Sequence, residues 1–346
     1  MQNVSEEITG FSDNNLRYVI DTKTVDDILE EQYITNSYIV ENFLNNGVYI
    51  FAGAPKVGKS FFMLQLAYSV SKGIPFMNKN VNQSDVLYLA LEDTYIRLQK
   101  RIATMFGTED NSRLHIAVNA GSIPENNLIT QLENFITMHR STRLIIIDTL
   151  QKIRETSGDY SYSKDYSDIS ELKRFADSYG ICLVIVHHTR KMDDSDKFIM
   201  ISGTNGLMGS ADGAFVMYKK NRTENQAVIE ISSRDITDEK IIVKRNTENL
   251  CWELTETMAE HKITELDEIV KIVGCFITAE NPKWEGTPSE LVDDLNLTGQ
   301  VTPCHLTRTL NINVNELYDS YNICYAYRRT QGRRIVKLLL NNSDGK

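Results

Sequence analysis

The chain has 346 residues, 41% hydrophobic and 24% charged, with a formal net charge of −10. That length suits one sizeable domain and one small one, and the composition is that of a globular protein rather than a disordered or fibrous one. No apolar run approaches a membrane span, the acidic start (Met1 to Glu7) does not read as a secretion signal, and five scattered cysteines lack zinc-type spacing. A reduced cytoplasmic protein is expected, with no membrane partner.

Residues 1–45 hold nine acids (Glu6, Glu7, Asp13, Asp21, Asp26, Asp27, Glu30, Glu31 and Glu41) against Arg17 and Lys23. With weak helical patterns at 24–31 and 37–44, this stretch reads as an acidic N-terminal arm. Regular patterning begins at Val48. The apolar run Val48 to Ala52 leads into Gly53-Ala54-Pro55-Lys56-Val57-Gly58-Lys59-Ser60, then into an apolar stretch opening with Phe61. Strand, Gly-rich loop and helix at this spacing are a Walker A phosphate loop. Gly53 and Gly58 let the backbone wrap an anion, and the helix adds its N-terminal donors. Lys59 is expected to reach the outer phosphates of ATP and Ser60 to ligate Mg2+, with residues 53–61 forming the nucleotide contact.

Further strand-like runs follow at 86–91, 114–118, 143–148 and 181–187, alternating with amphipathic stretches at 59–72, 94–106, 126–139 and 166–179. Short apolar strands alternating with helices predict an α/β domain over 46–257, its sheet mostly parallel with helices on both faces. Runs at 214–218, 226–232, 240–244 and 250–254 lack intervening helices and predict an antiparallel extension.

Residues 258–346 form a second unit. Helical spacing runs over 264–279, Thr287-Pro288-Ser289-Glu290 is a capping box, Thr302-Pro303 opens another helix, and Asn313 caps a short one to Tyr321. Two alternating runs, Ile323 to Arg328 and Arg333 to Leu340, flank the turn Thr330-Gln331-Gly332. Helices followed by a basic hairpin describe a small winged-helix domain. Arg328, Arg329, Arg333, Arg334 and Lys337 cluster with no acid in 327–338, an electrostatic footprint for DNA phosphates despite the negative total.

Several residues could carry chemistry. Asp148 ends the strand Leu144-Ile145-Ile146-Ile147, where a carboxylate can hold magnesium through water, although such a residue can also cap the next helix. Glu92 follows 86–91 and could take the proton of an attacking water, with Asp93 or Thr94 capping 94–106. His187-His188 emerges from an apolar strand and could sense the γ-phosphate, or be structural; partner ligands for zinc are lacking. Loop 189–210 is too long for a plain connector, and its Arg190, Lys191 and Lys197 are candidate DNA contacts despite Asp193, Asp194 and Asp196. Arg97 and Arg101 share one helical face and, with Arg234, are candidates for an arginine finger.

The phosphate loop, Tyr88 to Asp93, Leu144 to Leu150 and Val184 to Thr189 together resemble the RepA-type hexameric helicases, RecA-like ATPases of plasmids, phages and mobile elements. The resemblance covers about residues 38–254. It implies a RecA-like core assembled as a homo-oligomeric ring, a hexamer, with ATP sites between subunits and single-stranded DNA inside. It further implies that Lys59 and Ser60 bind phosphate and Mg2+, Glu92 is the catalytic base and Asp148 the Walker B acid. His187 then senses the γ-phosphate and Arg101 is the finger reaching the adjacent subunit. Loop 189–210 departs in length from the plasmid helicases, and the C-terminal unit is an addition, placed to meet duplex DNA.

The expected activity is therefore DNA-dependent ATP hydrolysis driving a replicative helicase. The alternative is an ATP-switched DNA-binding regulator or helicase loader that separates no strands. A ParA-like ATPase fits less well, because its signature lysine would stand at Ala54, and RecA-like recombinases or KaiC-like ATPases share the fold.

Overall fold

A computed structural model describes residues 22–33, 38–123, 127–154, 162–190, 196–201, 205–221, 223–234, 237–259, 267–330 and 333–341. The chain forms two compact units, one of Asn36–Lys262 and one joining Met1–Thr35 to Ile263–Lys346. The first helix, α1 (Val25–Glu30), belongs to the second of these.

The larger unit contains β1 (Gly47–Gly53), α2 (Lys59–Lys72), β2 (Asp85–Ala90), α3 (Tyr95–Phe106), β3 (Leu114–Ala117), α4 (Leu128–Met138), β4 (Thr142–Asp148), α5 (Tyr162–Tyr179), β5 (Cys182–His188), α6 (Asn205–Ser210), β6 (Gly213–Tyr218), β7 (Gln226–Ser233), β8 (Glu239–Arg245) and β9 (Trp252–Ala259). Its nine strands form one sheet of order β3-β2-β4-β5-β1-β6-β7-β8-β9. The run from β3 to β6 is parallel, and β6 to β9 is antiparallel. The alternation of strands and helices, and its loss after residue 213, therefore appear as expected.

Burial explains the apolar runs. Every residue of β1 is buried, as a strand covered on both faces must be. Tyr49, Phe51, Leu144, Ile146, Val184 and Val186 face the α2 side, where Phe62, Met63 and Leu66 meet them. Their neighbours Val48, Ile50, Ile145, Ile147, Leu183 and Ile185 face the other core, built with α4 and α5. Phe51 stacks on Phe62 with ring centroids 5.2 Å apart and on Phe215 at 5.9 Å, joining α2, β1 and β6, the strand expected to open the antiparallel extension but paired parallel to β1.

The register places one edge of the sheet for chemistry. Gly53 pairs with His188, Ala90 with Asp148, and Asp148 with Val186. The carboxyl ends of β1, β2, β4 and β5 thus converge where the phosphate loop turns into α2, the crevice that open α/β sheets present to ligands.

The helix expected at 37–44 is not present in the described part, 38–44. The N–H groups of Ile39 and Val40 both donate to the Leu44 carbonyl, Val40 bridges Val81, and Ile39, Val40, Phe43 and Leu44 are all buried. Four apolar residues in six are better buried as a tight turn against the core than as one solvent-facing helical turn.

The smaller unit contains α7 (Glu268–Phe276), β10 (Lys283–Gly286), α8 (Pro288–Asp294), α9 (Pro303–Ile312), α10 (Val314–Tyr321), β11 (Ile323–Thr330) and β12 (Arg333–Leu340). Its antiparallel sheet has the order β10-β12-β11, so the expected hairpin is present with an unexpected third strand. Residues 24–33 join this unit. Thr24 and Asp27 close a capping box on α1, and the Asn311 amide donates to the carbonyls of Leu29 and Glu30, both at 3.1 Å. Arg308 pairs with Asp26, and Arg334 with Glu30 at 2.8 Å. No helix among the described residues is long and apolar enough to cross a membrane.

Candidate nucleotide site

The loop between β1 and α2 needs both its glycines. A Cβ on Gly53 would lie 2.5 Å from the Met217 carbonyl. Gly58 caps α2 at φ +118, and a Cβ there would lie 2.5 Å from the Trp252 ring. Ala54, Pro55 and Lys56 form the exposed crown, while Val57 is buried beneath it. α2 thereby presents its N-terminal end, with its donors and positive dipole, to the crevice.

Lys59 is only 6% exposed. Its Nζ donates to the carbonyls of Gly53 at 2.7 Å and Ala54 at 3.2 Å, and lies 3.3 Å from His188 Nδ1. Burial lowers its pKa to about 8, and the negative charges of Asp148 and Glu92 oppose the fall. A cation kept partly desolvated, among groups it can leave, is poised to bind an anion more strongly than a solvated lysine would.

Asp148 ends β4 and is buried; burial raises its pKa, and hydrogen bonds from Ser60 and Tyr88 oppose that rise. The Tyr88 hydroxyl donates to Asp148 Oδ2 at 2.9 Å. One strand over, exposed Glu92 accepts from the Thr149 hydroxyl at 3.1 Å. Lys59, Ser60, Glu92 and Asp148 are therefore brought together. Thr94, not Asp93, caps α3, its side chain accepting from the Arg97 N–H. Tyr88 and Thr149 were not singled out from sequence, although each lies within a stretch that carried the resemblance.

The two histidines separate. His187 pairs with Ala52 and lies buried in β5, whereas half-buried His188 pairs with Gly53 and faces Lys59. Strand alternation decides this, since successive side chains point to opposite faces. The residue meeting the phosphate-loop lysine is thus His188, next in sequence to His187, the γ-phosphate sensor that the resemblance implies. Burial first, then the Lys59 charge, lowers the His188 pKa, which favours the neutral ring.

A family model described as an AAA domain matches residues 17–194, just over half of the chain. The chain belongs to the AAA domain family. Among solved structures, a DnaB-like replicative helicase, described with its interactions with primase, is 17% identical with a TM-score of 0.51. The alignment covers 61% of this chain and 58% of that one, so this protein spans little more than half of that helicase's length. A KaiC-like protein from the hyperthermophilic archaeon Pyrococcus horikoshii is 13% identical with a TM-score of 0.47, over 65% of this chain and 99% of that one. No curated protein matches. The helicase likeness establishes the fold: a RecA-like sheet, mostly parallel with an antiparallel extension, in a P-loop ATPase.

An AAA-domain P-loop ATPase binds nucleotide, and the oxygen donors here fit Mg2+. The Ser60 hydroxyl and Asp148 carboxylate lie side by side at the mouth of the loop, the hard ligands that this ion takes.

The remaining expected residues are more scattered. Arg101 is held within the chain, 2.8 Å from Asp93 and with its guanidinium 4.6 Å from the Phe61 ring centroid. Arg245 stacks on Phe61 at 3.8 Å. Arg97 binds Asp93 and the Glu92 carbonyl, both at 2.8 Å, and Arg234 reaches the Gly209 carbonyl at 3.2 Å. In the loop after β5, Arg190 is exposed and Lys197 lies over the Tyr218 ring at 5.4 Å; Lys191 falls outside the described residues. On the hairpin Arg328 is exposed, Arg334 is paired with Glu30 and Lys337 with Glu285 at 2.8 Å. The side chains of Arg329 and Arg333 lie outside the described set. Trp252 and Arg245, like Tyr88 and Thr149, support the site without having been singled out from sequence.

Proposed function

We propose that this AAA-domain protein is an oligomeric, DNA-dependent ATPase acting as a RepA-type replicative helicase of a mobile element. The observation that carries the reading is Glu92, an exposed carboxylate oriented by Thr149 on the same sheet edge as Lys59 and Asp148. A nucleotide switch needs only the phosphate loop; a carboxylate beside it is what a turnover enzyme adds.

In this reading Lys59 exchanges its carbonyl contacts for phosphate oxygens, and Ser60 and Asp148 would hold the metal. Bound magnesium would neutralise charge on the β- and γ-phosphates. Glu92 accepts the proton of the attacking water while Thr149 keeps its carboxylate turned inward. His188, 3.3 Å from the Lys59 amine, shifts when that amine changes partner, and β5 carries the shift into the loop after residue 189. His187 reports only indirectly, through the same strand. α3 supports assembly, since Tyr95 and Ile96 are 61% and 70% exposed on the helix that holds Arg101. An arginine finger from Arg101 requires a neighbouring subunit to draw it from Asp93 and Phe61.

The smaller unit supports a winged-helix role through its helices and three-stranded sheet, with the hairpin arginines as DNA-phosphate contacts. The rival reading, an ATP-switched regulator or loader, draws on the pairing of Arg334 with Glu30 and Lys337 with Glu285. Both compete with phosphate. Steady-state ATP hydrolysis without DNA, with single strands and with duplex, blanked by Lys59→Ala, separates the two. The helicase reading expects strong stimulation by single strands. Turnover indifferent to DNA, or raised by duplex alone, would support the regulator.

A further inference from the structure

Away from the nucleotide, three side chains converge from three elements. Asp85 opens β2, His115 lies in β3, and His139 ends α4. One oxygen or nitrogen of each lies within 4.8 Å of those of the other two, and all three residues are half-buried. The imidazole rings have centroids 4.1 Å apart at 48°. Phe135 closes one side, its ring 5.3 Å from His115 and 4.5 Å from His139. Three residues separated by 24 to 54 positions show no ligand spacing in sequence; only the pairing of β2, β3 and β4 with α4 assembles them.

We infer that Asp85, His115 and His139 form a Zn2+ site that fastens the edge of the sheet. Two imidazoles and a carboxylate are a donor set zinc takes at about 2.0–2.2 Å, with a fourth position left for water. Tetrahedral ligands at that distance lie about 3.3 Å apart, so small side-chain rotations close a site whose ligand atoms already lie within 4.8 Å of one another. The carboxylate is already oriented from outside, because the Ser141 hydroxyl donates to Asp85 Oδ2 at 2.6 Å, the kind of support that fixes a metal ligand.

The placement explains what the ion would do. β3 is a four-residue edge strand, half-buried throughout, and short edge strands are the weakest part of a sheet. An ion here ties β3 and the end of α4 to the start of β2. Asp85 and Ala90 are opposite ends of β2, about 16 Å apart by strand rise, so this is not the magnesium of the phosphate site. Arg113 is the local antagonist, with Nη1 3.7 Å from Asp85 Oδ1.

The test uses untagged full-length protein, stripped with EDTA and carrying Asp148→Asn to remove the phosphate-site carboxylate. It is titrated with Zn2+ by calorimetry, and with Co2+ while visible absorption is recorded. One equivalent of Zn2+ and tetrahedral-type Co2+ bands are expected. His115→Gln or His139→Gln should weaken Zn2+ by more than the roughly 10–100-fold that loss of an outer-shell partner costs, and Arg113→Ala should tighten it severalfold. Binding untouched by both histidine variants, or no saturable equivalent, would overturn the site. Should the histidine variants fail to fold, Arg113→Ala decides: unchanged or weaker Zn2+ binding contradicts the proposal.

Discussion

Lys59 shows how function opposes stability at one residue. Its pKa falls from 10.5 to about 8 on folding, so between those values the unfolded chain binds more protons than the native one. The penalty is therefore complete below about pH 8 and vanishes as pH rises past 10.5; a shift of this size corresponds to about 3 kcal/mol. Lys59→Met abolishes this cost and loses the carbonyl hydrogen bonds. The nucleotide-free variant should be more stable by about 1–3 kcal/mol at pH 7, with the advantage shrinking toward pH 10. Urea unfolding at the two pH values checks this, and a less stable variant at pH 7 would contradict it. The contrast between His187 and His188 is at the same scale. The pair was visible in sequence, but which ring meets the phosphate loop depends on a register that only strand pairing fixes.

At the scale of elements, the antiparallel extension braces the phosphate loop. Trp252, at the start of β9, is 1% exposed. Its Nε1–H donates to the Gly58 carbonyl at 3.4 Å, and its backbone exchanges hydrogen bonds with the Gln65 amide at 2.7 and 2.9 Å. Trp252→Ala should cost about 3–5 kcal/mol through the cavity it leaves. It should also weaken nucleotide binding, because the loop loses its wall; Trp252→Phe should keep most of both. Denaturant midpoints and binding of a fluorescent ATP analogue report the two effects, and nucleotide affinity unchanged in Trp252→Ala would show that the brace is unnecessary.

The same elements show what sequence can reveal. β1, α2, β4 and the hairpin were legible because each carries its own signal, whether a glycine pattern, an apolar run or strict alternation. β10 was not, since four residues centred on Trp284 are too short for a period to show. The turn at 38–44 was misread because a cluster of apolar residues fits a helical turn and a buried loop equally well. Trp252 was not legible, because its contact with Gly58 lies 194 residues away in the chain, and such distant pairings leave no local mark.

At the scale of the molecule, two units share the chain, and residues 24–33 belong with the C-terminal one although they precede the ATPase unit in sequence. The acidic bias of the N-terminus thus has a local use, since Asp26 and Glu30 meet Arg308 and Arg334. The larger unit converges Lys59, Ser60, Glu92, Asp148 and His188 on one sheet edge, and the account depends on that convergence being a hydrolytic site. The most direct measurement compares ATP affinity with ATP turnover in wild type and Glu92→Gln, with Mg2+ and single-stranded DNA present. The account predicts near-normal affinity and turnover lowered by about 10²–10⁴-fold. Turnover within a few-fold of wild type would contradict it.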